Sequence, residues 1–166
     1  MKLKDKIAIV TGGAMGNGLG IVKIFLKHGA KVSIFDYSEK LQNTVDTLKS
    51  EGYDVDGYSV DIRDSGQIKN AIDKIIAKYN KIDILVNNAG VAKLTPFLET
   101  PDEIRDFHFD INIKGTWNVS KAVVPYMSSG SSIVNLSSVT GTMVADTGEV
   151  AYATTKAAVL GFTKGL

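Results

Sequence analysis

Four consecutive apolar residues, Ile7-Ala8-Ile9-Val10, run directly into Thr11-Gly12-Gly13-Ala14-Met15-Gly16-Asn17-Gly18-Leu19-Gly20. The apolar run reads as a strand buried on both faces, as in a parallel sheet. Leu19 to His28 reads as a helix. A glycine-rich turn between a strand and a helix lets a phosphate reach backbone N–H groups and the positive end of the helix dipole. The spacing Thr-Gly-x-x-x-Gly-x-Gly, Thr11 to Gly18, departs from the Gly-x-Gly-x-x-Gly of the common dinucleotide fingerprint. A tight turn that binds nothing has the same local pattern, so later residues decide.

The next decisive residue is Asp36. Gly29-Ala30 reads as a helix stop, and Lys31 to Asp36 as a second strand that ends in an acid 18 positions after Gly18. In a dinucleotide fold that spacing puts a carboxylate beside the adenosine ribose, where it accepts from the 2′-OH. A 2′-phosphate is repelled there, and Tyr37 and Ser38 bring no compensating cation, so the reading is NAD over NADP. The alternative is an Asp that caps the following helix, Ser38 to Ser50.

Strand and helix keep alternating. Asp54 to Ser59 reads as a third strand, Asp64 to Tyr79 as a helix with its stripe at Ile68, Ala71, Ile72, Ile75 and Ile76, and Ile82 to Val86 as a fourth strand. That strand runs into Asn87-Asn88-Ala89-Gly90. Pro101 to Met127 reads as one long helical region, started by Pro101 and kinked or frayed at Pro125. Ser131 to Leu136 is the fifth strand, Val139 to Val150 a loop, and Ala151 to Leu166 a final helix. The alternation specifies an α/β, Rossmann-type, doubly wound parallel sheet in one domain, 1–166.

Bulk properties exclude several functions. A net charge of +1 argues against nucleic acid or an anionic membrane as the main partner. No apolar run approaches a membrane span in length. The basic start, Met1 to Lys6, leads into only four apolar residues, too few for a signal peptide. With no cysteine there is no disulfide, thiolate chemistry or cysteine metal site, which fits a reducing, cytoplasmic setting. No metal site is expected, because His28 and His108 are far apart in sequence. His28 reads as a helix C-terminal residue favoured by the dipole, and His108 as a helix surface or interface position.

Tyr152-Ala153-Thr154-Thr155-Lys156 puts a phenol and an ammonium at i and i+4, neighbours on a helix. A cation beside a phenol favours the phenolate, which makes Tyr152 a candidate acid/base. A surface Tyr–Lys contact is the plain alternative. Of the six tyrosines, only Tyr152 has Lys four residues on.

Taken together, Thr11-Gly12-x-x-x-Gly16-x-Gly18, Asn87-Asn88-Ala89-Gly90, Asn112, Ser138 and Tyr152-x-x-x-Lys156 resemble the short-chain dehydrogenase/reductase family, in the family's order. The resemblance covers the whole chain and looks most like bacterial members. It implies strand order 3-2-1-4-5 and an NAD(H)-dependent oxidoreductase that interconverts a secondary alcohol and a ketone. It implies that Tyr152 exchanges a proton with the substrate oxygen, Ser138 orients that oxygen, Lys156 holds the nicotinamide ribose, and Asn112 anchors a water in a proton relay. Thr11, Gly12, Met15, Gly16, Asn17, Gly18, Asp36, Asn88, Ala89 and Gly90 would bind the cofactor together with Tyr152 and Lys156. Asp61 would meet the adenine amino group, with Ile62 against the ring. Ser138 is preferred to Ser137 because it needs one extra loop residue before Tyr152, where Ser137 needs two; Ser137 is expected to make a backbone hydrogen bond instead. A homodimer or homotetramer is also implied.

Two departures accompany the resemblance. Asn17 stands where the family usually has Ile. The family's sixth and seventh strands, with part of the nicotinamide and substrate site, have no counterpart before Leu166, so the chain is expected to be C-terminally incomplete. As an isolated piece it is expected to bind NAD weakly and turn over poorly, with its fifth strand at a sheet edge. Two other readings stay open: a nucleotide-binding module without turnover, and a methyltransferase on a similar sheet, which has no use for Tyr152 and Lys156.

Overall fold

The computed structural model describes residues 1–166. Five parallel strands form one sheet: β1 (Ile7–Thr11), β2 (Lys31–Asp36), β3 (Val55–Ser59), β4 (Ile84–Asn87) and β5 (Ser132–Asn135). Their order is β3-β2-β1-β4-β5, as the family resemblance implies. Every residue of β1 is buried, and its side chains alternate between two cores. Ile7 and Ile9 pack with Ile68, Ile72 and Ile75 of α3 (Ser65–Tyr79) and with Val119 and Val123 of α5 (Thr116–Val123). Ala8 and Val10 face Val22 and Leu26 of α1 (Gly16–Lys27) and Val45 and Leu48 of α2 (Lys40–Ser50). The period of two in the strand thus meets a helical stripe on each side.

Chain order places the site. The connection after β3 crosses the sheet, so β4 pairs with β1 on the side away from β2. At that switch point the carboxyl ends of the strands leave a crevice. The glycine turn, Asp61, Asn88–Gly90 and Ser137–Ser138 follow strand ends, and Asp36 closes β2, at this carboxyl end of the sheet.

Several boundaries differ from the sequence reading. α1 starts at Gly16 rather than Leu19, after an extended Met15, so Asn17 and Gly18 belong to the helix's first turn. The region Pro101–Met127 is four pieces: α4 (Asp102–His108), a π-helical turn (Phe109–Gly115), α5, and a 3-10 turn (Val124–Tyr126) that contains Pro125. A further 3-10 turn, Phe97–Glu99, follows β4. The final helix, α6, runs from Val150 to Gly165. β5 sits at the end of the sheet with Val134 46% exposed. No helix is long and apolar enough to cross a membrane.

The opposite, amino-terminal end of the central strands β1 and β4 is fastened by Asp83. Its buried carboxylate accepts from Ile7 N–H at 2.8 Å and pairs with Lys81 and Lys6. Burial pushes its pKa up, but the Ile7 amide and the two lysines outweigh that and hold it below the usual value. A lowered carboxyl pKa stabilises the fold above the unfolded pKa, and that contribution is lost as pH falls through the folded value. Asp83→Asn should therefore lower stability by about 1–3 kcal/mol at pH 7. Urea melts should show the difference from wild type shrinking below about pH 4.

Candidate active site

The glycine turn is held in shape by its neighbours. Thr11 Oγ1 accepts from the backbone N–H groups of Asn88 and Ala89, both at 3.0 Å. Asn88 Nδ2 donates back to the carbonyls of Thr11 and Gly12 at 3.0 and 3.1 Å. Gly12 and Gly16 have positive φ, +64° and +56°, which favours glycine. A Cβ on Gly18 would overlap the Gly12 carbonyl oxygen and lie 2.5 Å from Asn88 Nδ2. Asn17 is exposed and fits the first turn of α1.

Asp36 closes the other side of the turn. Its Oδ2 accepts from Ala14 N–H at 3.0 Å and its Oδ1 from Ser38 N–H at 2.9 Å. Thr44 on α2 donates to the Ala14 carbonyl at 3.0 Å. Asp36 does not cap α2, whose preceding residue is Glu39. The carboxylate is instead fixed against the glycine turn, with unused lone pairs on both oxygens.

A cleft of about 570 Å³ opens between these elements. It contains Gly12, Met15, Asn17, Gly18, Asp36, Asp61, Ile62, Asn88, Ala89 and Gly90 from the sequence reading. Thr11 is buried beneath it and acts as a clamp rather than as lining. Gly16 stands at the start of α1 with open space on its Cα. Three things match what a dinucleotide needs: glycines where a Cβ would collide, a free helix N-terminus, and a fixed acid at the end of β2.

Two features of the cleft were not read from sequence. Arg63 forks onto Asp61, with Nε at 3.0 Å from each carboxylate oxygen. The Arg63 hydrogen bond, against a smaller effect of burial, holds the Asp61 carboxyl below its ordinary pKa. Val91 and Ile111 add apolar wall. The Arg63–Asp61 pair had a sequence signal in its i, i+2 spacing, and Val91 had one as an apolar residue directly after Gly90; Ile111 reads from sequence only as core or interface.

Beyond Gly90 the cleft meets the second group. Lys156 is 6% exposed, and its Nζ donates to the Leu136 carbonyl at 2.8 Å and lies 5.6 Å from the centre of the Tyr152 ring. Burial lowers the Lys156 pKa. Asn112 is buried in the π-helical turn. Its Oδ1 accepts from Val91 N–H at 2.8 Å, and its Nδ2 donates to the Val91 carbonyl at 3.0 Å and to Thr155 Oγ1 at 2.9 Å. Thr155 donates in turn to the Tyr152 carbonyl at 2.8 Å. Thr155 was missed, although it adjoins Lys156 in sequence. A Cβ on Gly90 would stand 3.2 Å from Asn112 Oδ1 and 3.4 Å from Lys156 Nζ, so the cleft wall and this group share a border.

Ser137 and Ser138 separate in role. Ser137 Oγ donates to the Lys156 carbonyl at 2.7 Å, the backbone bond expected of it. Ser138 Oγ accepts from Thr140 N–H at 3.1 Å, and its own hydroxyl proton is uncommitted. One expectation is overturned. His108 lies at 0% exposure, not at a surface or interface, because both ring nitrogens find backbone partners.

The family model described as short chain dehydrogenase matches residues 6–166. The chain belongs to the short-chain dehydrogenase family. Among curated relatives, the oxidoreductase UcpA of Escherichia coli K12 is 48% identical over 167 residues, covering 99% of this chain and 64% of UcpA. The chain thus spans just under two thirds of that relative's length. Among solved structures, a short-chain dehydrogenase from Burkholderia cenocepacia in complex with NADP superposes with a TM-score of 0.92 at 31% identity, covering 99% of this chain and 68% of that one. A short-chain dehydrogenase/reductase from Burkholderia phymatum in complex with NAD gives 0.91 at 28%, covering 99% and 60%. The short-chain dehydrogenase fold is therefore shared over nearly all of this chain, and its members include nicotinamide-cofactor binders.

Proposed function

We propose that this chain carries the cofactor half and the acid/base group of an NAD(H)-dependent oxidoreductase that interconverts a secondary alcohol and a ketone. The observation that carries the reading is Lys156. A buried ammonium beside the Tyr152 ring, bordering a nucleotide-sized cleft, has little structural purpose of its own. Bound NAD supplies the hydride acceptor, or as NADH the donor. In the oxidative direction the Tyr152 oxygen takes the hydroxyl proton of the alcohol; in reduction it returns one. Ser138 Oγ donates to the same substrate oxygen and orients it. Lys156 steadies the charge on the Tyr152 oxygen and would hold the ribose hydroxyls. Asn112 keeps one lone pair of Oδ1 for a relay water. Cytoplasmic location and a homodimer or homotetramer belong to the same reading. The first is supported by the absence of cysteine, the second by Trp117, 55% exposed and packed at 5.5 Å against Phe162 of α6.

NADH titration by fluorescence, followed by NAD reduction across a panel of secondary alcohols, tests the proposal. A chain that binds neither NADH nor NADPH overturns it. Asp36 supports the preference for NAD, because a fixed carboxylate repels a 2′-phosphate. Asp36→Asn removes the charge and keeps an acceptor for one of the two amides, Ala14 or Ser38, which in the wild type bond separate oxygens. The ratio of NADH to NADPH affinity should fall by about tenfold or more. A wild-type chain that prefers NADPH overturns the NAD reading while leaving the chemistry in place.

A further inference from the structure

Residues 91–96 belong to no helix or strand, although they leave the cleft wall at Gly90 and Val91. What holds this segment is a set of alternate amides. Val91 N–H donates to Asn112 Oδ1 at 2.8 Å, Lys93 N–H to His108 Nε2 at 2.9 Å, and Thr95 N–H to the Gly148 carbonyl at 3.0 Å. The segment is thus fastened at every second residue, at 91, 93 and 95. His108 and Asn112 stand one turn apart on one face of the continuous helix formed by α4 and the π-helical turn.

The histidine is fully committed. Its Nδ1 lies 2.7 Å from the Ile104 carbonyl, which only accepts, so Nδ1 carries the hydrogen. Lys93 N–H donates to Nε2, so Nε2 is bare. Both partners select one neutral tautomer. The ring is 0% exposed, and Lys93 Nζ lies 4.9 Å over the neighbouring Phe107 ring, a second grip on the same residue. A Leu or Ile would fill such a site with less demand. A buried imidazole with a polar partner on each nitrogen is chosen for what it holds.

We propose that His108 is a positioning residue. It fixes Lys93 so that Val91 and Gly90 keep their place between the cleft and the Asn112–Lys156 group. This rests on the cofactor reading above, and it assigns to His108 the nicotinamide side of the cleft rather than the adenosine side.

The test compares wild type with His108→Leu and His108→Gln by amide hydrogen exchange and by NADH and AMP binding. Leu keeps volume and removes both bonds; Gln offers an acceptor near Nε2. In His108→Leu the Lys93 amide should exchange about tenfold faster. Amides of β1 and β2 should stay protected, NADH affinity should fall about fivefold to tenfold, and AMP affinity should stay within about twofold. In His108→Gln the Lys93 protection and the NADH affinity should return to within about twofold of wild type. A residue that merely supports the fold would lower NADH and AMP binding together, with no selective rescue by Gln. A folded His108→Leu with unchanged Lys93 exchange and unchanged NADH-to-AMP ratio overturns the proposal. If His108→Leu does not fold, His108→Gln decides: a protected Lys93 with the wild-type ratio supports the role, and an exposed Lys93 with that ratio overturns it. A wild-type chain that binds neither NADH nor NADPH overturns the cofactor reading and the role with it. Intact NADH binding with an indifferent Lys93 overturns the role alone.

Discussion

Tyr152→Phe is expected to lower turnover of a secondary alcohol or ketone by about 10²- to 10⁴-fold, the usual weight of a positioned acid/base. The substitution removes one oxygen and keeps the ring. That ring packs beside Lys156, whose ammonium is already held by the Leu136 carbonyl, so the fold and the lysine keep their places. Only the phenol oxygen is lost, and the ring beside Lys156 stays in place, so NADH affinity should change far less than turnover does. The combination separates chemistry from binding: kcat falls, cofactor affinity does not. Single-turnover rates with the most active alcohol or ketone, measured beside NADH titrations of both proteins, check it. A Tyr152→Phe chain that turns over as wild type does would move the acid/base role to another group.

Gly18→Ala is expected to weaken NADH by about 10- to 100-fold, the affinity equivalent of forcing a methyl into a packed site. The new Cβ overlaps the Gly12 carbonyl oxygen and crowds Asn88 Nδ2. Neither is the free end of a flexible chain. The Gly12 carbonyl belongs to a turn with φ +64°, and Asn88 Nδ2 already bonds two carbonyls. The first turn of α1 must therefore lift away from β1, carrying the helix N-terminus from the place where a pyrophosphate would meet it. Gly20→Ala is the control, because nothing lies within 4 Å of a Cβ there. Its NADH affinity should match wild type within about twofold. Equal losses in both variants would mean that helix propensity or global stability, not the turn, governs binding.

Much of this architecture was legible because its signals are local. A buried apolar strand, a glycine turn and an acid at the next strand end each sit within a few residues, and parallel pairing follows from their alternation. Tyr152 and Lys156 were legible for the same reason, being neighbours on one helix. The π-helical turn was not. Its residues carry ordinary helical periodicity, and one wider turn shifts the face by too little to disturb a stripe such as Ile111, Val119 and Val123. His108 was misread because its partners are backbone atoms, one of them 15 positions away, and a backbone amide leaves no mark in side-chain patterning. Thr155 escaped for a related reason: its hydroxyl bridges Asn112, 43 positions back, and the Tyr152 carbonyl. Arg63 leaves a weak mark because an Asp and an Arg two positions apart look like any solvated charge pair until the fold sets them at the cleft.

The link from Asn112 to Thr155 also has a consequence for the order in which a nascent chain acquires its parts. Every residue lining the cleft lies before position 112, while Tyr152 and Lys156 come with α6, which starts at Val150. During synthesis the ribosome delivers the N-terminal part first. The lining of the cleft is therefore translated before the helix that carries Tyr152 and Lys156. Only when α6 docks, with Thr155 closing on Asn112 and Ser137 on the Lys156 carbonyl, does that lining gain its border with Tyr152 and Lys156. Under the proposed function, the cofactor surface is built first and the acid/base group arrives as a later docking event.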